Sequence, residues 1–136
     1  MNNLSKIKKI STKLREELET KYNWQNNKKC FTNTCYDITS ELVNELRKNG
    51  IYAYQANGLY FGATSGYIPD MELWDEHEKE SYFNSINARE PFGFDHWWVV
   101  AANKYIVDIT NDQFHPDEER NFRVVIREIP DKNYNA

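Results

Sequence analysis

A chain of 136 residues with 40% hydrophobic and 15% aromatic content can bury one core and is too apolar for intrinsic disorder. Its net charge of -4 combines a basic first part, where residues 1–50 carry 10 Lys and Arg against 6 Asp and Glu, with an acidic remainder. Such a small basic surplus disfavours nucleic-acid binding, and the apolar runs are too short to span a membrane, so we expect neither nucleic acid nor a membrane as a partner. The length predicts a single domain, residues 1–136.

The first helix is predicted over residues 4–21. Its apolar residues recur at spacings of three and four and face away from the Lys, Glu and Arg residues: Leu4, Ile7, Ile10, Leu14, Leu18 and Tyr22. Residues 23–34 are polar and are predicted to form a loop. A second helix is predicted over residues 35–48, with Thr34 as its N-cap and an Asn-Gly pair at its end.

Short strands are predicted after the second helix. Residues 51–56 and 59–63 are expected to pair as a hairpin, because the Asn57-Gly58 dipeptide between them favours a tight turn. Residues 64–95 show no clear period and contain an acidic stretch and several aromatic residues. We interpret this segment as a lid or specificity insertion, with an ordinary surface excursion that carries one short helix as the alternative.

A second hairpin is predicted from residues 96–101 and 104–109, which flank an Ala102-Asn103 turn. Residues 122–129 are expected to form a further strand, and the chain from Pro130 onward is expected to be a tail. Helices that precede a run of antiparallel strands are typical of the α+β class. The sequence therefore predicts N-terminal helices packed on an antiparallel sheet.

Three residues in separate predicted elements form a candidate nucleophilic triad, Cys35, His96 and Asp108. A thiol ionises more readily at a helix N-terminus or beside an imidazolium, and Cys35 opens the second predicted helix. His96 can exchange a proton with the thiol and with a leaving amine, while a carboxylate orients its ring. A turn at Ala102-Asn103 places His96 opposite Ile109 or its neighbours, which brings Asp108 within reach.

An acyl-transfer intermediate also needs donors for its oxyanion. The candidates are the backbone N–H of Cys35 and, in the preceding loop, the side chains of Gln25, Trp24 and Asn27. Trp98 and Trp74 are candidate substrate-binding residues, because aromatic side chains anchor interfaces.

The other reactive residue types have weaker claims. Cys30 is the reserve nucleophile if Cys35 is inert. Gln113 and Phe114 are expected to pack and to fix a loop rather than to act in catalysis. His77 and His115 lie in acidic or Pro-containing segments and are expected to be solvated.

The three motifs resemble those of the transglutaminase-core superfamily of papain-like cysteine enzymes. The similar residues stand in the same order over roughly residues 24–114: Cys35-x3-Thr39 with Leu42, Leu46-Arg47-x2-Gly50-Ile51-x-Ala53, His96-Trp97-Trp98-Val99 and Asp108-Ile109-Thr110-x2-Gln113-Phe114. The resemblance implies a papain-like core in which Cys35 is the nucleophile, His96 the general base and acid, and Asp108 the orienting carboxylate.

Enzymes of that superfamily attack a carboxamide or peptide carbonyl and form a thioester. An amine resolves the thioester in transglutaminases, and water resolves it in proteases and deamidases. We expect a protein or peptide substrate, no cofactor, and hydrolysis rather than transamidation, because so compact a core leaves little room for a second-substrate site. A thiol protease and a protein-glutamine deamidase both remain open.

Two other classes of function stay open at this point. A catalytically inactive domain of this fold would bind a protein partner through the aromatic residues of segment 64–95. A metal-assisted hydrolase would use His96, Asp108 and His115, although the scattered Cys and His residues lack a paired zinc spacing. Two cysteines are too few for a disulfide framework and the N-terminus lacks a signal-peptide core, so we expect a cytoplasmic protein with free thiols.

Overall fold

The computed structural model describes residues 2–23, 30–64 and 66–136, and over residues 30–34 it describes the backbone alone. In this part of the chain, three α-helices and a five-stranded antiparallel sheet form the expected α+β fold. None of the described helices is both long enough and apolar enough to cross a membrane.

Helix α1 (Asn3–Tyr22) confirms the first predicted helix. The side chain of Asn2 accepts a hydrogen bond from the Ser5 N–H at 2.8 Å and caps the helix N-terminus. Asn23 ends the helix in the left-handed conformation, at φ 53°. The predicted apolar stripe supplies Ile7, Leu14 and Leu18 to the core.

Helix α2 (Cys30–Lys48) ends where the sequence predicts but begins at Cys30 rather than at Cys35. The predicted start at Cys35 is wrong, because the backbone of residues 30–34 is already helical. Thr34 therefore lies inside the helix rather than at its N-cap. The Cys35 N–H also lies beyond the four N–H groups that a helix N-terminus leaves unpaired, so it is not the predicted oxyanion donor.

The sheet has the strand order β4-β3-β2-β1-β5, and every pair is antiparallel. The strands are β1 (Ala53–Tyr60), β2 (Phe94–Ala101), β3 (Tyr105–Asp108), β4 (Val125–Glu128) and β5 (Tyr134–Asn135). The predicted hairpin between β2 and β3 is confirmed, with Ala102 and Asn103 at φ 55° and 53° in its turn. Strand β4 confirms the last predicted strand in a shorter form.

The predicted turn at Asn57-Gly58 is wrong. Both residues stay extended within β1, where Asn57 pairs with Trp97 and Gly58 pairs with His96. The Asn57 side chain donates to the Asp95 carboxylate and to the His96 carbonyl, both at 3.0 Å, which holds it to β2. Glycine is needed at position 58 because a Cβ there would collide with the backbone of Asn135.

The predicted C-terminal tail is also wrong, because its last residues form strand β5. Tyr60 pairs with Tyr134 and Leu59 with Asn135, so the C-terminus adds a strand to the free edge of β1. The pairing brings the Tyr134 side chain beneath the sheet, where its ring lies 5.1 Å from that of Trp98.

The two faces of the sheet carry different layers. Val99 and Ala101 of β2 face α1 and α2 and form the main apolar core with the helices. Residues of even number in β2, among them His96 and Trp98, face the opposite side. An aromatic cluster with Tyr60, Phe94 and Phe114 at its centre covers part of that second face.

Residues 66–92 supply the outer part of this aromatic cluster. Helix α3 (Glu76–Ala88) follows an Asp75 N-cap, and none of its residues is fully buried. Trp74 and Tyr82 pack with Phe92, at centroid distances of 6.0 Å and 5.2 Å. Helix α3 agrees with the alternative prediction of a surface excursion that carries one short helix. That the segment acts as a lid or specificity insertion stays a prediction.

Candidate active site

The three predicted triad residues come together at the open end of the β2–β3 hairpin. His96 Nε2 lies 2.8 Å from Asp108 Oδ2, and the two residues are only 2% and 1% exposed. Cys35 reaches this end of the sheet from α2 and remains partly exposed. The arrangement therefore has a buried His-Asp pair behind a thiol that solvent can reach.

The Cys35 side chain contacts both the histidine and the segment that follows β3. Cys35 lies close enough to His96 to raise the pKa of the imidazole. Since Nε2 of His96 faces Asp108, Nδ1 is the ring nitrogen left for the thiol. The Sγ atom also lies 3.8 Å from the Thr110 hydroxyl and 3.5 Å from the Gln113 amide nitrogen.

The neighbours of His96 favour its charged form. Burial alone would lower the pKa of His96, but the Asp108 carboxylate outweighs it, and with the nearby Cys35 side chain it raises that pKa to about 10. The imidazole is therefore an imidazolium at neutral pH. An imidazolium beside a thiol favours the thiolate.

Asp108 is buried and is surrounded by donors. It accepts hydrogen bonds from the Thr110 N–H at 3.1 Å, the Asn111 side chain at 3.0 Å and the Tyr134 hydroxyl at 2.8 Å. Burial would raise the pKa of Asp108, but the His96 charge and these donors lower it overall. The carboxylate therefore stays ionised and keeps one ring orientation of His96.

Helix α1 fixes the segment after β3 from the other side. The buried Arg15 guanidinium makes two hydrogen bonds to the Asp112 carboxylate, at 2.8 Å and 2.7 Å, and one to the Ile109 carbonyl at 2.6 Å. Glu19 joins the group through a bond to Arg15 at 2.9 Å and bonds to Arg123 at 2.7 Å and 2.6 Å. This network anchors the backbone on which Thr110 and Gln113 stand.

A second histidine lies behind the triad rather than in solvent. His115 is 2% exposed, which contradicts the expected solvation, and its ring stacks on Phe122 with centroids 3.5 Å apart. Its Nε2 lies 2.9 Å from the Tyr60 hydroxyl, which donates to Asn111 at 3.3 Å. Burial lowers the pKa of His115, so its ring is neutral and belongs to the packing behind Asp108. His77 is exposed, as expected.

The two predicted substrate-binding tryptophans are both in packed positions. Trp98 is 2% exposed and packs against His96 and Tyr134, so the prediction that it contacts substrate is wrong. Its even-numbered position places it under the second face of the sheet. Trp74 is half-buried in the aromatic cluster. Trp97, on the helix side, meets the exposed Tyr36 edge-on at 5.0 Å, one residue from Cys35.

Other predicted site residues cannot be placed. Gln25, Trp24 and Asn27 lie outside the described residues, and so does the side chain of Cys30. No cluster of three or more His, Cys, Asp or Glu side chains in the described ranges could hold a metal ion. The structure therefore offers no support to the alternative with His96, Asp108 and His115 as metal ligands.

Three residues that the sequence did not single out for catalysis contribute to the site: Gln113, Tyr134 and Tyr67. The first two touch Cys35 and Asp108 directly. Burial raises the pKa of Tyr67 to about 12, and the charges of Tyr82, Asp70 and Cys35 add to this rise. In the sequence, Gln113 was marked only by the Gln-Phe pair that belongs to the Asp108 motif.

Comparison of the chain with known protein families, with curated proteins and with solved structures finds no match to any of them.

Proposed function

We propose that this chain is a cysteine-dependent acyl-transfer enzyme with a papain-like core of the transglutaminase type, acting on amide bonds of proteins or peptides. The observation that carries the proposal is the buried His96-Asp108 ion pair next to a partly exposed Cys35, whose sulfur lies 3.8 Å from the hydroxyl of Thr110, a donor to Asp108. A histidine that serves only in packing needs neither a thiol at one nitrogen nor a carboxylate at the other.

The proposed reaction follows from the protonation states of the three groups. The Cys35 thiolate attacks the carbonyl carbon, an S–C bond forms, and the electron pair of the carbonyl moves to its oxygen. The His96 imidazolium then donates its proton to the leaving nitrogen as the C–N bond breaks, which leaves a thioester and a neutral imidazole. His96 next takes a proton from water as the water oxygen attacks the thioester carbon; the C–S bond breaks, the acid is released, and the Cys35 thiolate and the His96 imidazolium are restored.

Hydrolysis is favoured over transamidation on grounds of size. The described residues form one sheet with a layer on each face, a compact core with little room for an organised second-substrate site. Water needs no such site. Both a thiol protease and a glutamine deamidase fit this chemistry, and they differ in whether the attacked amide lies in a backbone or in a side chain.

The test uses unfolded casein as a substrate and mass spectrometry as the readout. We expect new chain ends, or glutamine converted to glutamate, with the wild type and with Cys30→Ala as the matched thiol control. Cys35→Ser and His96→Ala should lower product formation by about 10³-fold or more, because members of a triad act as a unit. Equal product formation by Cys35→Ser contradicts the proposal, and loss only on chelation would favour the metal-assisted alternative.

One observation favours the second candidate, an inactive domain that binds a protein partner. The segment around α3 exposes large apolar side chains, with Leu73 95% and Ile68 84% exposed and Phe83 and Ile86 about half exposed. A binding domain does not need a reactive thiol. Loss of partner binding on Leu73→Ser, with a Cys35 that reacts as an ordinary thiol, would support this candidate.

A further inference from the structure

The side chain of Gln113 occupies a position beside the Cys35 sulfur that packing does not explain. Its Nε2 lies 3.5 Å from Sγ and also donates to the Thr110 carbonyl at 2.9 Å. A carboxamide nitrogen carries two hydrogens. One is therefore held by the backbone of the same loop, and the other points to the sulfur.

The loop holds this carboxamide in place before any substrate binds. Asn111–Phe114 form a 3-10 turn, in which Asp112 is bound to Arg15 and Phe114 is buried in the aromatic cluster. Gln113 stands between these two anchored residues, so its backbone has little freedom. Donors fixed in advance are those that stabilise a developing charge most effectively.

Other donors near Cys35 in the described part of the chain are already engaged. The Thr110 hydroxyl lies 3.8 Å from Sγ but donates its one proton to Asp108 at 3.4 Å. The Cys35 N–H lies within the ladder of α2, beyond its unpaired first turn. Apart from the His96 imidazolium, which gives its proton to the leaving nitrogen, Gln113 is thus the described side chain with an N–H group directed at the reacting atom.

We propose that Gln113 is a catalytic residue whose Nε2–H stabilises the oxyanion formed when Cys35 attacks a carbonyl, an inference that rests on the proposed function. The oxygen of a carbonyl bonded to Sγ is two bonds from the sulfur, within reach of a donor at 3.5 Å from Sγ. Gln113 gives up no proton in this step. Its Nε2–H donates a hydrogen bond first to the thiolate and then to the oxyanion as the S–C bond forms.

Two reagents that attack the same thiol separate this role from thiolate stabilisation. Iodoacetamide reacts with Cys35 by displacement at a saturated carbon and forms no oxyanion. The ester p-nitrophenyl acetate reacts at a carbonyl, so its acyl transfer passes through an oxyanion and releases p-nitrophenolate. Both rates can be measured on the full chain without knowledge of its natural substrate.

The variant is Gln113→Met, which keeps the length of the side chain and removes both donors. The matched control is Gln55→Met, since Gln55 also donates to α2, at the Tyr36 carbonyl and Thr39, but does not contact the sulfur. We expect Gln113→Met to slow acetylation of Cys35 by about 10²-fold. Alkylation by iodoacetamide should fall less than about tenfold, the effect of one ordinary hydrogen bond, and Gln55→Met should change the two rates by the same factor.

The remaining outcomes overturn the inference. Equal slowing of both reactions by Gln113→Met would show that the side chain stabilises the thiolate or the folded site rather than the oxyanion. The alkylation rate serves as the check that the site is folded. Unchanged acetylation would remove Gln113 from the reaction while leaving Cys35 as the nucleophile. A wild-type Cys35 that neither reagent labels faster than an ordinary thiol overturns the proposed function as well.

Discussion

At the scale of single residues, the site depends on how fully its buried carboxylate is hydrogen-bonded. A buried ion pair is stable only where additional donors satisfy the oxygens that the partner does not reach. Asp108 has such donors on both oxygens, from Thr110 on one and from Asn111 and Tyr134 on the other. The sequence predicted Asp108 from its hairpin position, but Tyr134 lies 26 residues further along the chain, beyond the range of local patterns.

The Tyr134 hydroxyl provides the residue-scale prediction. Tyr134→Phe removes a 2.8 Å hydrogen bond to a buried carboxylate and leaves the ring packed against Trp98. We expect a loss of about 1–3 kcal/mol in the free energy of unfolding, the range for hydrogen bonds to charged groups. Urea denaturation measures it.

The matched control is Tyr52→Phe, since Tyr52 is 57% exposed. Its unfolding free energy should stay within about 0.5 kcal/mol of the wild type. If Tyr134→Phe were as stable as this control, the hydrogen bond from Tyr134 to Asp108 would not contribute to the free energy of unfolding. Backbone pairing with β1 would then be what holds β5 on the sheet.

At the scale of elements, the helices and the β2–β3 hairpin could be predicted because their signals are local. Helical spacing marks α1 and most of α2, and a two-residue turn with positive φ sets the register that brings His96 to Asp108. The Asn57-Gly58 pair misled prediction, because the same dipeptide that favours a turn also permits close approach of the β5 backbone. Local chemistry alone does not distinguish these two uses of glycine.

The contact between α1 and the segment after β3 provides the element-scale prediction. Arg15 lies 97 residues before Asp112, and this pair connects the first helix to the loop that carries Gln113. Arg15→Met leaves the buried Asp112 without its counter-ion. We expect a loss of about 3–5 kcal/mol in unfolding free energy, because the stranded charge stays buried.

Lys13→Met is the matched control, since it removes a basic side chain from an exposed position of the same helix. Thermal and urea unfolding should leave this control close to the wild type. A double variant, Arg15→Met with Asp112→Leu, should recover much of the lost stability, because it removes both charges. An Arg15→Met protein as stable as Lys13→Met would show that the network does not hold the loop.

At the scale of the whole molecule, the candidate site lies where three layers meet. Helix α2 brings the thiol, the sheet brings the His-Asp pair, and the aromatic cluster covers the second face. Tyr67 belongs to this cluster, and its ring packs edge-on against Phe94 and Phe114 at 4.9 Å and 5.2 Å. Residues 66–92 thus pack on the sheet face that carries His96, although their aromatic residues pack mainly on one another.

The triad itself could be predicted at this scale, whereas its supporting contacts could not. Residue types with distinctive chemistry are few in the chain, with 2 Cys and 3 His, so one chemically sensible combination stands out. Supporting residues such as Arg15 and Gln113 belong to common types, and only the folded chain shows which of them face the site. Trp98 is a second example, since the sequence does not show which of Trp97 and Trp98 is buried.

The central claim is that His96 holds Cys35 as a thiolate, and the pH dependence of Cys35 alkylation by iodoacetamide tests it most directly. The measurement uses Cys30→Ala as the parent, so that one thiol reports, with and without His96→Ala. Because Asp108 raises the pKa of His96, its imidazolium persists beside the thiol through neutral pH, and we expect the parent to be alkylated much faster at pH 6 than its His96→Ala variant. Without His96 the rate at pH 6 should fall by about 100-fold, since an ordinary thiol with a pKa of about 8.5 is less than 1% ionised there. Identical profiles with and without His96 would contradict the account.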